Sequence, residues 1–314
     1  MQCNLAIVNC TINRRNRRAS DDPQDAQRDR QTEKARFTCS GIIFLLLIIA
    51  YFEQDVSSSQ YRVPLVSFFW NDPPRAFIAR LLSGGVKVWM QVGSLEEACE
   101  AVRSGVDAVI VQGKEAGGHN HSSASTLTLV PTVVDAIAPV PVIAAGGIAD
   151  GRGVVAAIAL GVEAVWVGTR LVASQEAYAH DEYKRRIVEA EASDTVRTTI
   201  FGPEWPHQSM RVIRNRVVNE WITRESEVVY HPEPTEFIGQ TILAGKPVPL
   251  AKFSALPPTP DATGDFEEMA LIAGESVGLV KEIKPAAEIV RGMMEEARQI
   301  IEHRLSGALI TSRV

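Results

Sequence analysis

Between Pro64 and Ala190 one unit recurs five times: a short, continuously apolar run, a glycine or polar cluster, then an apolar stripe at helical spacing. The strand candidates are Pro64–Trp70 (PLVSFFW), Val86–Val92 (VKVWMQV), Asp107–Val111, Val140–Ala145 (VPVIAA) and Ala164–Val167 (AVWV). Strands alternating with helices at this pitch are parallel and joined by right-handed crossovers. Strands without a polar face need helices over at least one side and a filled interior.

The helix signals agree. Asp72 is placed to cap a helix with Pro73 and Pro74 in its first turn, and Ile78, Leu81 and Leu82 form its stripe before Gly84-Gly85. Ser94 and Glu97 have capping-box spacing, followed by Leu95, Ala98, Cys99 and Val102 on one face and Gly105 at the end. Cys99 therefore reads as a small core residue rather than a nucleophile. The Ser/Thr-rich HNHSSASTLTL reads as a loop before a short helix near Pro131 to Ala138. Asp150 caps a helix with Val154, Ala157 and Ile158 inward, and residues 175–190 read as helical.

Two architectures satisfy this order, a closed barrel and an open doubly wound sheet. The glycine and polar clusters are Gln91-Val92-Gly93, Gln112 to His119, Gly146-Gly147 and Gly168-Thr169, one after every late strand rather than at one switch point. That favours a (β/α)₈-type barrel, in which all such loops meet on one face.

The loop in DAVIVQGKEAGGH, Asp107 to His119, carries the chemistry. Gly117-Gly118 suits a backbone that must approach a ligand, and His119 can move protons near neutral pH. His121 is a rival base. With no third ligand nearby, the pair does not read as a zinc site.

A net charge of −6 argues against nucleic acid as a partner. Cysteines at 3, 10, 39 and 99 have neither metal spacing nor disulfide density, which points to a reducing compartment and the cytoplasm. Residues 1–60 form a discordant head. Residues 14–36 carry eight basic and five acidic side chains and read as disordered or loosely helical. The apolar 42–52 stretch is either a core segment or, as the minority reading, a membrane anchor, its uncharged span being short for a bilayer. Beyond residue 190 the pattern loosens. Arg211, Arg214 and Arg216 read as a solvated helix face, 231–234 and 247–260 as proline-rich linkers, and Glu267–Arg304 as an interrupted helical tail.

VKVWMQVGSLEEA, VIVQGKEAGGH, PVPVIAAGGIADGRG, AVWVGTRLVAS and AGESVGLV together resemble the nitronate monooxygenases, over about residues 62–305 in consistent order. The resemblance implies an FMN-dependent TIM barrel with a smaller appended domain, acting on nitronates or nitroalkanes with O₂. It implies His119 as the general base, or as the group that orients an already deprotonated nitronate. Gln112 would lie beside the flavin, with Gly117 and Gly118 touching it through backbone. Gly147, Trp166, Val167, Gly168 and Thr169 would cradle the phosphate, helped by the positive end of the helix from Asp150 or of the one after Thr169.

The match begins at what would be the fourth barrel strand, so the expectation is an incomplete barrel of about five βα units of eight. Its parts would be a barrel at 61–190, a small domain and linkers at 191–260, and C-terminal helices at 261–314 that pack back onto the barrel. Two alternatives remain at this level: an NAD(P)H-dependent flavin reductase of quinones or enoyl thioesters, and a truncated relic without turnover.

Overall fold

The computed structural model describes residues 64–69, 75–202, 208–229, 233–243 and 245–306. The head at 1–60, its 42–52 stretch and the Asp72 cap lie outside these residues. Strands β1 (Leu65–Phe69), β2 (Lys87–Val92), β3 (Ala108–Gln112), β5 (Val142–Ala145) and β6 (Ala164–Trp166) form one parallel sheet in chain order, while β4 (Gly118–His119) lies in another. No reversal of order occurs along it. A doubly wound sheet needs one, so this is the order of a (β/α) barrel.

Side chains alternate across the sheet as strand geometry requires. Val88, Met90, Val109, Val111, Val142 and Val165 face the helices in the largest core cluster. Ala108, Ile110, Ile143 and Ala145 face the other way, with Trp89 and Trp166 packed beside them. Those two rings meet edge to face at 6.4 Å although β3 and β5 separate their strands. The sheet curls toward this face, and small residues at 108, 145 and 164 leave room for the contact.

The helices that cover the outer face are α1 (Arg75–Ser83), α2 (Leu95–Arg103), α3 (Thr126–Ile137) and α4 (Gly151–Ala159). Ser94 caps α2 by accepting from the Glu97 N–H, but the Glu97 carboxylate reaches past the cap to the Gly93 N–H at 2.6 Å. Helix α3 begins within the stretch read as a loop. Its Ser/Thr-rich start hides it, because the cap comes from Glu115, whose carboxylate accepts from the Thr126 N–H at 3.0 and 3.1 Å. Helix α5 (Thr169–Val172) is short, and α6 (Asp181–Glu189) occupies only the latter part of 175–190.

Downstream, β4 (Gly118–His119) and β7 (Thr195–Thr198) flank β8 (Met210–Ile213) in a second, antiparallel sheet. The arginine run is therefore not a helix face. Arg211 lies in β8, is 8% exposed, and donates to the Lys114 carbonyl while pairing with Glu275 at 3.0 Å. Arg216 opens helix α7 (Arg216–Trp221). The 247–260 stretch is likewise more than a linker. Pro247 and Pro249 sit in β10 (Lys246–Ala251), which pairs with β9 (Phe237–Leu243) at the edge of a sheet completed by β11 (Thr263–Gly264). An edge strand tolerates proline at alternate positions.

The Glu267–Arg304 region is helical mainly in α8 (Ala286–Gln299). Helix α8 packs against α4 so closely that a Cβ on Gly151 would approach the Ala297 nitrogen to 2.5 Å. No helix of the described residues is long and apolar enough to cross a membrane.

Candidate active site

Strand β3 ends with Gln112 on the inner face, 3% exposed beside Gln91 at the end of β2. The Gln91 Nε2 donates to the Gln112 Oε1 at 3.1 Å, and the Gln112 Nε2 donates to the His119 carbonyl at 3.3 Å. Between them the chain turns through Glu115. Gly117 then passes against the later chain, where a Cβ would stand 2.5 Å from both the Ala273 carbonyl carbon and the Gly274 nitrogen. Only glycine fits that crossing.

The strand ends enclose a cleft of about 610 Å³, mouth included. Gln112, Gly117, Gly118, Gly147, Trp166, Gly168 and Thr169 all line it. Two other residues singled out from the sequence do not. The Val167 side chain is 1% exposed in the core beside Val165 and Leu171. His119 follows Gly118 in β4, but its ring is 1% exposed beneath Gly202, where a Cβ would lie 3.4 Å from the His119 Nε2.

Other residues of the lining, to which the sequence reading assigned no ligand contact, include Gln91, Ile148, Ile272, Gly274 and Ser276. The last two belong to AGESVGLV, a motif visible in the sequence without any indication of where it docks. Docking comes from the Gly274 N–H, which donates to the Thr169 hydroxyl at 2.9 Å.

Among the described residues, the Gly147 and Gly168 N–H groups meet no protein acceptor, and the Trp166 indole nitrogen is buried without a hydrogen bond. Gly147 has φ +76°, a conformation that favours glycine. A Cβ on Gly168 would meet nothing within 4 Å. Amides left open at the edge of a cleft suit an anion. At the start of α4 Asp150 accepts from the Gly153 N–H and Glu296 from the Gly151 N–H, so those two donors are already used within the protein. Helix α5 is only four residues long.

Burial lowers the His119 pKa to about 4, with a smaller contribution from His121. His121 is displaced the other way, chiefly by its hydrogen bond to Glu97, and Glu97 is held low in turn by His121. Arg197 braces the same segment, donating to the Asn120 carbonyl at 2.7 Å and the Ser122 carbonyl at 2.5 Å. Among the described residues no cluster of His, Cys, Asp and Glu could hold a metal ion.

The sequence profile of nitronate monooxygenase matches residues 18–296. A probable nitronate monooxygenase of Staphylococcus aureus (strain Newman) is 31% identical over 252 residues, covering 77% of this chain. The chain spans 65% of the length of that curated relative. Among solved structures, FabK from Thermotoga maritima superposes with a TM-score of 0.60 at 34% identity, over 79% of this chain and 71% of the other. A nitroalkane oxidase from Streptomyces ansochromogenes gives a TM-score of 0.59 at 28% identity, over 77% and 67%.

Proposed function

Because the chain belongs to the nitronate monooxygenase family, we propose that its cleft binds FMN and that the protein oxidises alkyl nitronates and nitroalkanes with O₂. One observation carries this reading: seven residues expected at the cofactor line a single cleft at the strand ends, one residue from His119. The donor set fits the cofactor. The Gly147 and Gly168 amides offer hydrogens to phosphate oxygens, and the open space beside Gly168 admits the group. FMN, when bound, supplies the oxidative chemistry with O₂. We read 61–190 as the cofactor unit and the later segments as its cover.

The protein's own contribution centres on a proton. With a pKa near 4, His119 is neutral at pH 7 and has a nitrogen lone pair for the proton of the carbon beside a nitro group. Burial also weakens that base, by about 3 kcal/mol for a displacement of this size. Abstraction creates a nitronate anion beside the new imidazolium, and the attraction between them offsets the cost. The same ring orients a substrate that arrives already deprotonated. Gln112 and Arg197 hold the backbone on either side of His119, so that its ring does not drift.

The test is an absorbance spectrum of the purified protein. Flavin bands are expected, with the released cofactor identified as FMN, bleached by an alkyl nitronate without air and restored by O₂. A colourless protein that takes up no FMN would overturn the reading. So would NADH oxidation without any nitro compound, combined with no response to nitronate.

A further inference from the structure

His121 lies one step beyond the β4–β8 ladder. His119 pairs with Met210, and the Asn120 N–H donates to the Ser209 carbonyl at 3.0 Å, so His121 falls opposite Gln208. Residues two apart on an extended segment share a face, which makes the two imidazoles neighbours. The His121 Nδ1 stands 3.4 Å from the Glu97 Oε1, and its Nε2 stands 2.5 Å from the Gln208 Oε1. Both partner atoms are oxygens, and a carboxylate only accepts. A doubly protonated ring satisfies both. A neutral ring donates to one and forces the other to rearrange.

The surroundings fix this geometry. Glu97 is anchored by the Gly93 N–H, and Gly93 lies so close under the segment that a Cβ would be 2.7 Å from the Ser122 nitrogen. The other charged or titratable groups facing His121 are Arg197 from β7, which opposes the proton, and His119 on its own segment. Arg197 directs its donors to the Asn120 and Ser122 carbonyls and the Ser209 hydroxyl. Among the described residues Glu97 is the acidic group that pairs with the ring.

We propose that His121 is a positioning residue, resident as an imidazolium between Glu97 and Gln208, which ties the strand carrying His119 to helix α2 and to the chain entering β8 and helps keep the His119 ring neutral. A fixed positive charge disfavours a second one beside it, so the base stays ready for a proton from substrate. Burial is the main cause that holds His119 below the ordinary imidazole range, and the His121 charge adds to it. The inference rests on His119 as the proton acceptor.

The test is ¹⁵N-histidine NMR of the full chain with its cofactor, paired with pH profiles. At pH 7 His121 should be doubly protonated and His119 neutral. In H121Q the His119 titration should move up by about half a pH unit or more. The acid limb of kcat/KM for a neutral nitroalkane should move with it, while turnover of a preformed nitronate is unchanged. E97Q, the milder change, should lower the His121 titration. A neutral His121 at pH 7, or a His119 titration that is the same in H121Q, overturns the proposal. If H119N instead keeps full nitroalkane turnover, the base reading fails, and the NMR still decides the charge on His121.

Discussion

Gln112 donates to the His119 carbonyl at 3.3 Å while accepting from Gln91 at 3.1 Å, so the cleft floor and the strand carrying the imidazole are one hydrogen-bonded unit. Gln112→Leu removes both bonds inside the protein. A cost of about 1–3 kcal/mol is expected from denaturant midpoints. Turnover of a neutral nitroalkane should fall more than that of a preformed nitronate, because only the former needs the base aligned. Equal losses for both substrates would mean that the bond to His119 does no positioning.

Two glycines of the cleft should respond in opposite ways. A Cβ on Gly117 runs into the Ala273–Gly274 backbone, whereas one on Gly168 meets nothing within 4 Å, and the Gly168 φ of −102° suits any residue. Gly117→Ala should lose soluble yield or melt several degrees lower. Gly168→Ala should keep its Tm in the cofactor-free form while binding FMN at least several-fold more weakly, measured by flavin fluorescence. An FMN affinity unchanged in Gly168→Ala would move the phosphate elsewhere.

The buried imidazole makes stability depend on pH. The His119 pKa falls from 6.5 to about 4 on folding, so between those values the unfolded chain binds more protons than the folded one. Stability is therefore fullest above pH 6.5 and declines toward pH 4, by about 3 kcal/mol at the limit from this group. His119→Asn should narrow the gap between melting temperatures at pH 7 and pH 4.5. The same variant should abolish nitroalkane turnover and keep the yellow colour.

Arg197 acts as a brace, with three donors spent on the Asn120 carbonyl, the Ser122 carbonyl and the Ser209 hydroxyl. Arg197→Met takes the guanidinium from the Ser122 carbonyl and leaves the Asn120 carbonyl with the Ser209 hydroxyl alone, at roughly 1–3 kcal/mol. Hydrogen exchange should accelerate in segment 118–122 more than in β5. Uniform acceleration across both would make Arg197 an ordinary stabilising residue.

The parallel strands, helices α2 and α4 and most of the cleft glycines were legible in the sequence, because each rests on a local pattern. An apolar run gives a strand, a capping residue starts a helix, and a glycine pair turns the chain. The misread segments depend on partners far along the chain. Helix α3 takes its cap from Glu115, eleven positions upstream of Thr126. The arginine spacing suggested a helix face, yet Arg211 is drawn into β8 by the Lys114 carbonyl and Glu275. Pro247 and Pro249 looked like a linker because only an edge strand accommodates them.

The sequence by itself determined which backbone would surround the cleft and that a histidine would follow it. Tertiary structure alone decided that Gln91, Gly274 and Ser276 complete the wall, and that His119 is buried under Gly202 rather than open to the cleft. It also decided that His121 meets Glu97 and Gln208. The physical reason is reach. Turn and strand preferences are set within a few neighbouring residues, whereas burial, hydrogen-bond partners and the charge of an imidazole depend on what the rest of the chain brings against them.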